Sequence, residues 1–123
     1  MTKFAIYQIQ FTEAQYAAIN AGEMIPAFEA KNKMNMDFSG DKIGGLADEA
    51  MAKGHYTHVA NIEAKDFNEV FEIGNIGPEQ NIERLTRMSS ISVGDVIVDE
   101  EGNTVVVAPY GFTLFGFRPA LAA

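Results

Sequence analysis

The chain's only imidazoles, His55 and His58, stand three residues apart. Such a pair invites a metal site, yet on an extended strand residues i and i+3 point to opposite faces, so the two rings could share an ion only on a helix. General acid–base chemistry at His58 would need a carboxylate within hydrogen-bond reach, and Glu63 is a nearby choice. Ser89, Ser90 and Ser92 lie in no G-x-S-x-G turn and have no evident base, which leaves hydrolytic chemistry unsupported. The absence of cysteine removes thiol catalysis, disulfides, cysteinyl zinc and iron–sulfur clusters together.

The loops are equally sparing. In "GDKIGG" at 40–45, Leu46 stands where a phosphate loop needs its lysine, and Lys42 lies inside the loop. "GNIGPEQ" at 74–80 lacks the strand and helix that frame a dinucleotide fingerprint. "DEEGN" at 99–103 is rich in oxygen but lacks the alternate spacing and distant glutamate of a calcium loop, so it reads as a hairpin turn. These patterns predict no metal, no cofactor and no catalytic residue.

Binding chemistry is better represented. Seventeen carboxylates against nine Lys or Arg give a formal charge of -8, a field that repels phosphate backbones and anionic lipid and makes double-stranded nucleic acid a poor partner. Between Arg87 and Arg118 the chain carries Asp95, Asp99, Glu100 and Glu101 and no basic residue. The plainer account is a solvated hairpin whose charges discourage edge-to-edge pairing. The sharper one is a negative face for a basic protein partner, with Tyr110 as its aromatic member. "YGFTLFGF" at 110–117 offers a second chemistry: Tyr110, Phe112, Phe115 and Phe117 could stack on single-stranded bases. No cation is interleaved with them and only Arg118 follows, so a core role is the stronger reading.

These groups must be positioned by a chain of 123 residues, 47% apolar, enough for one domain over residues 1–123. No run approaches the roughly 20 apolar residues of a membrane helix, and no basic, apolar leader opens the chain; a cytoplasmic protein is expected. Alternation over 3–11 predicts a strand, apolar on both faces at its start. Thr12 caps a short helix ending at Asn20 and Gly22, with Tyr16 and Ile19 as its buried stripe. From Glu23 to Gly45 neither period is sustained, so irregular structure is expected, packed on the domain by Met24, Ile25, Phe28, Met34, Met36, Phe38 and Ile43. A helix is predicted over Leu46–Lys53, closed by Gly54, and a strand over 55–63. Asp66, with Glu69 three positions on, caps a helix striped by Phe67, Val70, Phe71 and Ile73. "EQNIERLTRM" reads as one or two helical turns. The last third reads as a β-meander: two strands about Glu101, Gly102 and Asn103, a third after Pro109–Gly111, and a frayed tail over 118–123. The expected fold is α+β, a mixed or antiparallel sheet of four to five strands with two or three helices on one face. An exposed sheet edge leaves homo-oligomerisation open.

"RMSSISVGDVIVDEEGNTVVVAPYGFTLF", preceded by "VANIEAKDFNEVFEIGNI", resembles small phage, plasmid and mobile-element proteins related to the YodL-like family. The shared pattern is a strand, a capped D-x-x-E-V-F helix, a polar N turn, and S-x-S-V-G-D-V-I leading into a hairpin and a closing G-F. It spans roughly 56–115, and the opening "IYQIQ" strand is similar too. The resemblance implies a phage-type or mobile-element setting and carries no activity or catalytic residue with it. Gly94 and Asp95 within it read as a backbone device fixing the hairpin. The expectation is a non-catalytic accessory protein that binds a host or viral protein through its acidic surface, for instance as an inhibitor of a nucleic-acid-handling or defence enzyme. A single-strand binder and a small enzyme using His58 with a carboxylate are the alternatives.

Overall fold

A computed structural model of the chain describes residues 2–115. Its frame is one antiparallel sheet in the order β3-β2-β1-β4-β5-β6, with β1 at Thr2–Ile9, β2 at Tyr56–Ala64, β3 at Ile82–Arg84, β4 at Val96–Val98, β5 at Thr104–Val107 and β6 at Phe112–Leu114. Four helices accompany it: α1 (Glu13–Asn20), α2 (Pro26–Asn35), α3 (Ile43–Ala52) and α4 (Phe67–Ile76). The fold is α+β, with more strands and helices among the described residues than the sequence led us to expect.

The helices do not share one face. Phe4 and Ile6 of β1, with Ile62, Ile97, Val105 and Val107, form a core closed by Val70 and Ile73 of α4. Ile9, Val96, Val98 and Val106 point the other way and meet Ala27 and Met34 of α2 and Ile43, Ala47, Ala50 and Met51 of α3. The reason lies in the strands: "VIV" in β4 and "VVV" in β5 are apolar on both sides, and such strands need cover on both. Each fully buried Ile or Val contributes about 2 kcal/mol, so one bare face would be untenable.

The segment expected to be irregular holds α2 and the first turn of α3. Pro26 opens α2, where its missing N–H costs nothing and its fixed φ favours the helix. Only Ala27 and Met34 of α2 are buried, two turns apart, too thin a stripe to show as a period. In α3, Ile43, Ala47, Ala50 and Met51 make the stripe. Gly44 lies in the first turn because a Cβ there would stand 3.2 Å from Thr113 Cγ2 on β6. Of the two glycines that obscured the helix, Gly44 serves close packing, whereas a Cβ at Gly45 would meet nothing.

Three further expectations change. The turns expected after Gly77 are a single 3-10 turn at Glu79–Asn81 followed by β3, because Ile82 pairs with Ile62 at the β2 edge. α1 buries no residue and Tyr16 is exposed, its ring edge-on to Phe11 at 5.5 Å. In β2 the alternation breaks: Ile6 faces Ala60 but Tyr7 faces His58, which leaves Val59 as the extra residue of a bulge. Ala60, Ile62 and Ala64 therefore join the α4 core, while Tyr56 packs with the α2/α3 core. The N-caps expected at Thr12 and Asp66 are present, though Glu69 does not return a bond to the Asp66 N–H. Thr12 and Gln15 form a reciprocal box, and Asp66 Oδ1 accepts from Glu69 N–H at 2.8 Å, while the Glu69 carboxylate reaches back to Lys65 N–H.

Candidate functional site

Gln8 stands on the apolar side of β1, next after Phe4 and Ile6, and is 3% exposed. A buried amide must be paired, and this one behaves like a strand neighbour: its Oε1 accepts from Ser89 N–H at 3.1 Å and its Nε2 donates to Ser89 C=O at 2.9 Å. Nε2 also donates to Asp95 Oδ2 at 3.0 Å. Asp95 is equally buried, and the same oxygen accepts from Ser92 N–H at 2.9 Å. Its backbone continues the β4–β5 ladder through Val107 N–H. Both bonds fall on Oδ2, and no buried side-chain oxygen of the described residues lacks a partner; Oδ1 therefore retains access to the adjoining pocket. Burial pushes the Asp95 carboxyl up to about 6, against the downward pull of Ser92 N–H, Gln8 and the Lys31 ammonium.

That pocket has a volume of about 210 Å³, with Gln8, Asp95, Ser89 and Ser92 on its polar side. Phe11 and Tyr16 supply an aromatic wall, and Lys31 and Arg87 are its cations. α2 positions Lys31, while Gln10 Nε2 donates to the Arg87 carbonyl and ties that segment to β1. The ion pairs among the described residues are Lys33–Glu29, Lys53–Glu49 and Arg84–Glu79, so neither pocket cation is spent on one. Behind Asp95, Tyr56 Oη donates to Gly94 C=O at 2.5 Å, and burial followed by the Asp95 charge raises its hydroxyl well above the usual phenol range. It remains a neutral donor. Sequence reasoning reached Asp95 but not Gln8, Ser89 or Lys31 as its company. The available signal was a glutamine among Phe4 and Ile6 on an apolar face.

The remaining predicted site residues sit elsewhere. Asp99 shapes the β4–β5 turn: Oδ1 accepts from Glu101 and Asn103 N–H at 2.9 and 2.8 Å, and Oδ2 from Asn103 Nδ2 at 2.9 Å. Gly102, at φ +88°, supplies the positive φ expected there. Glu100 accepts from Lys3 N–H at 2.8 Å, and Glu101 is exposed. These three acids flank a hollow of about 540 Å³ with Lys65, Asp66 and Phe67. Tyr110, 84% exposed, lies in the turn after β5, at the other end of that strand. The structure thus joins Asp99, Glu100 and Glu101, buries Asp95, and sets Tyr110 apart.

The aromatic set divides as period two requires. Phe112 packs toward α4, 6.0 Å from Phe67 and 6.5 Å from Phe71, whereas Phe115 packs with the α2/α3 core. Phe117, like the tail at 118–123, lies outside the described residues. His58 stacks on Tyr7 at 4.9 Å and meets Asn61 instead of Glu63. Asn61 Nδ2 donates to Glu83 Oε1 at 2.8 Å, which leaves its Oδ1 to accept from His58 Nε2–H. His55 lines a separate hollow with Glu49 and Lys53. Among the described residues no group of three His, Asp or Glu is placed to hold a metal ion.

Fold and site define an α+β protein whose antiparallel sheet is covered on both faces and carries one polar pocket beside a buried carboxylate. No protein-family model, curated protein or solved structure matches the chain. None of its described helices is long and apolar enough to cross a membrane.

Proposed function

We propose that the chain is a non-catalytic accessory protein that binds a basic surface of a host or viral protein through the β4–β5 end of its sheet. The phage or mobile-element setting, on the strength of the YodL-like resemblance, and a cytoplasmic location both belong to this proposal. The observation that carries it is the built acidic tip. Asp99 locks the turn with three hydrogen bonds, and Glu100 and Glu101 project beside it without an ion pair to Lys or Arg among the described residues. Unneutralised carboxylates on a rigid turn steer a cationic partner and fix its register. An inhibitor of a nucleic-acid-handling or defence enzyme would exploit this charge, since such enzymes present basic surfaces.

The test is capture from host lysate by the chain and by Glu100→Lys/Glu101→Lys, which leaves the Asp99 turn intact. Salt-sensitive capture by the original chain and its loss in the variant are expected; equal capture by both overturns the reading. Titration of labelled single-stranded oligonucleotide at low salt checks the alternative, and tight binding there would replace protein binding as the primary function.

A further inference from the structure

A carboxylate that merely tied Ser92 and Gln8 in place would be better replaced by an amide. Asparagine offers the same acceptor to both donors without a buried charge, and an ionised carboxyl in low dielectric is costly unless compensated. Asp95 has two hydrogen bonds on one oxygen, no ion pair, and a second oxygen that makes no hydrogen bond, in a residue that lines the pocket. Burial raises its carboxyl pKa, and the hydrogen bonds from Ser92 and Gln8 and the pull of Lys31 offset that only in part. Lys31 and Arg87 also line the pocket, yet neither is paired with Asp95 or with any other described carboxylate. One negative and two positive groups therefore converge on a small space, each with capacity left, and the aromatic wall of Phe11 and Tyr16 closes one side.

We propose that this pocket binds a small zwitterion of the α-amino-acid type, its ammonium on Asp95 Oδ1 and its carboxylate toward Lys31 and Arg87. The charges argue for a zwitterion over a simple anion or cation: an anion alone would bring a second negative charge to Asp95, and a cation alone would face Lys31 and Arg87. An ammonium is preferred to a hydroxyl because only a positive charge compensates a desolvated carboxylate. The volume of about 210 Å³ favours a short side chain, which the ring of Phe11 or Tyr16 would cover. Such a site would make partner capture or stability responsive to a metabolite. It is separable from the acidic tip, since Glu100→Lys/Glu101→Lys leaves every pocket residue in place.

The experiment follows the amide resonances of Ser89 and Ser92 and the side-chain amide of Gln8 during titration with L-alanine to about 10 mM, enough to fill most of a millimolar site. Saturable shifts at these three positions are expected with L-alanine. Propionate, which lacks the ammonium, and ethylamine, which lacks the carboxylate, should bind at least about tenfold more weakly. Asp95→Asn should keep the fold and lose about tenfold or more in affinity, and Lys31→Ala should lose affinity for L-alanine but not for ethylamine. The proposal is overturned if L-alanine leaves the resonances unmoved, if propionate or lactate binds as well, or if Asp95→Asn binds unchanged. Should Asp95→Asn fail to fold, the analogue series on the original chain decides alone.

Discussion

Asp95 and Glu101 are both carboxylates of one β-meander, six positions apart, and the fold treats them oppositely. Glu101 projects from a turn that Asp99 has already satisfied, so its charge is free for a partner and nearly irrelevant to folding. Asp95 is sunk beside Gln8, where its charge is expensive and its hydrogen bonds, with those of Gln8, tie three segments together. Counting acids between Arg87 and Arg118 groups them; solvent exposure separates them into a docking tip and a pocket.

The contrast is most sharply broken at Gln8. Gln8→Leu removes a buried hydrogen-bond donor from Asp95 and both bonds to the exposed Ser89 backbone, and should cost about 2 to 3 kcal/mol in chemical denaturation. A loss below about 1 kcal/mol would mean that the network contributes little to holding the pocket.

Of comparable size is the pH dependence. The Asp95 carboxyl titrates near 6 in the folded protein and at about 3.9 when unfolded, so between those values the folded state holds the extra proton. Stability is then greatest below about pH 4, falls as pH rises through about 6, and is flat above it, by up to about 3 kcal/mol. Other carboxylates titrate in the same range, so the measurement is the difference between the original chain and Asp95→Asn across pH 4 to 7. That difference should favour the variant increasingly as pH rises; parallel curves would show that burial does not penalise this charge.

The smallest effects belong to the tip. Asp99→Ala should cost about 1 kcal/mol, the usual value of a side chain that satisfies turn N–H groups, while Glu101→Ala should stay within about 0.5 kcal/mol. Equal effects at both positions would erase the distinction between the residue that builds the turn and the residue displayed on it.

Local signals made much of this legible. Thr12 announces α1, and Asp66 with Glu69 announces α4, because a cap depends on residues within one turn. Gly102 announces the hairpin through its positive φ. α2 was hidden because only Ala27 and Met34 are buried, and β3 because three residues at an edge carry no period. The two-sided cover could have been read from "VIV" and "VVV", whose runs demand it. The Val59 bulge, which parts Tyr56 from Ala60, leaves no such mark, since it is imposed by pairing with β1.

By itself, then, the sequence determined the α+β class, the capped helices, the acidic hairpin and the lack of cysteine chemistry, all consequences of composition or of neighbours within one turn or one strand. Only the tertiary structure decided that Gln8 meets Asp95 across 87 positions and Ser89 across 81, and that α2 brings Lys31 to them. The physical reason is that burial, which turns an ordinary aspartate into a costly one, belongs to the assembled core and to no single stretch of chain.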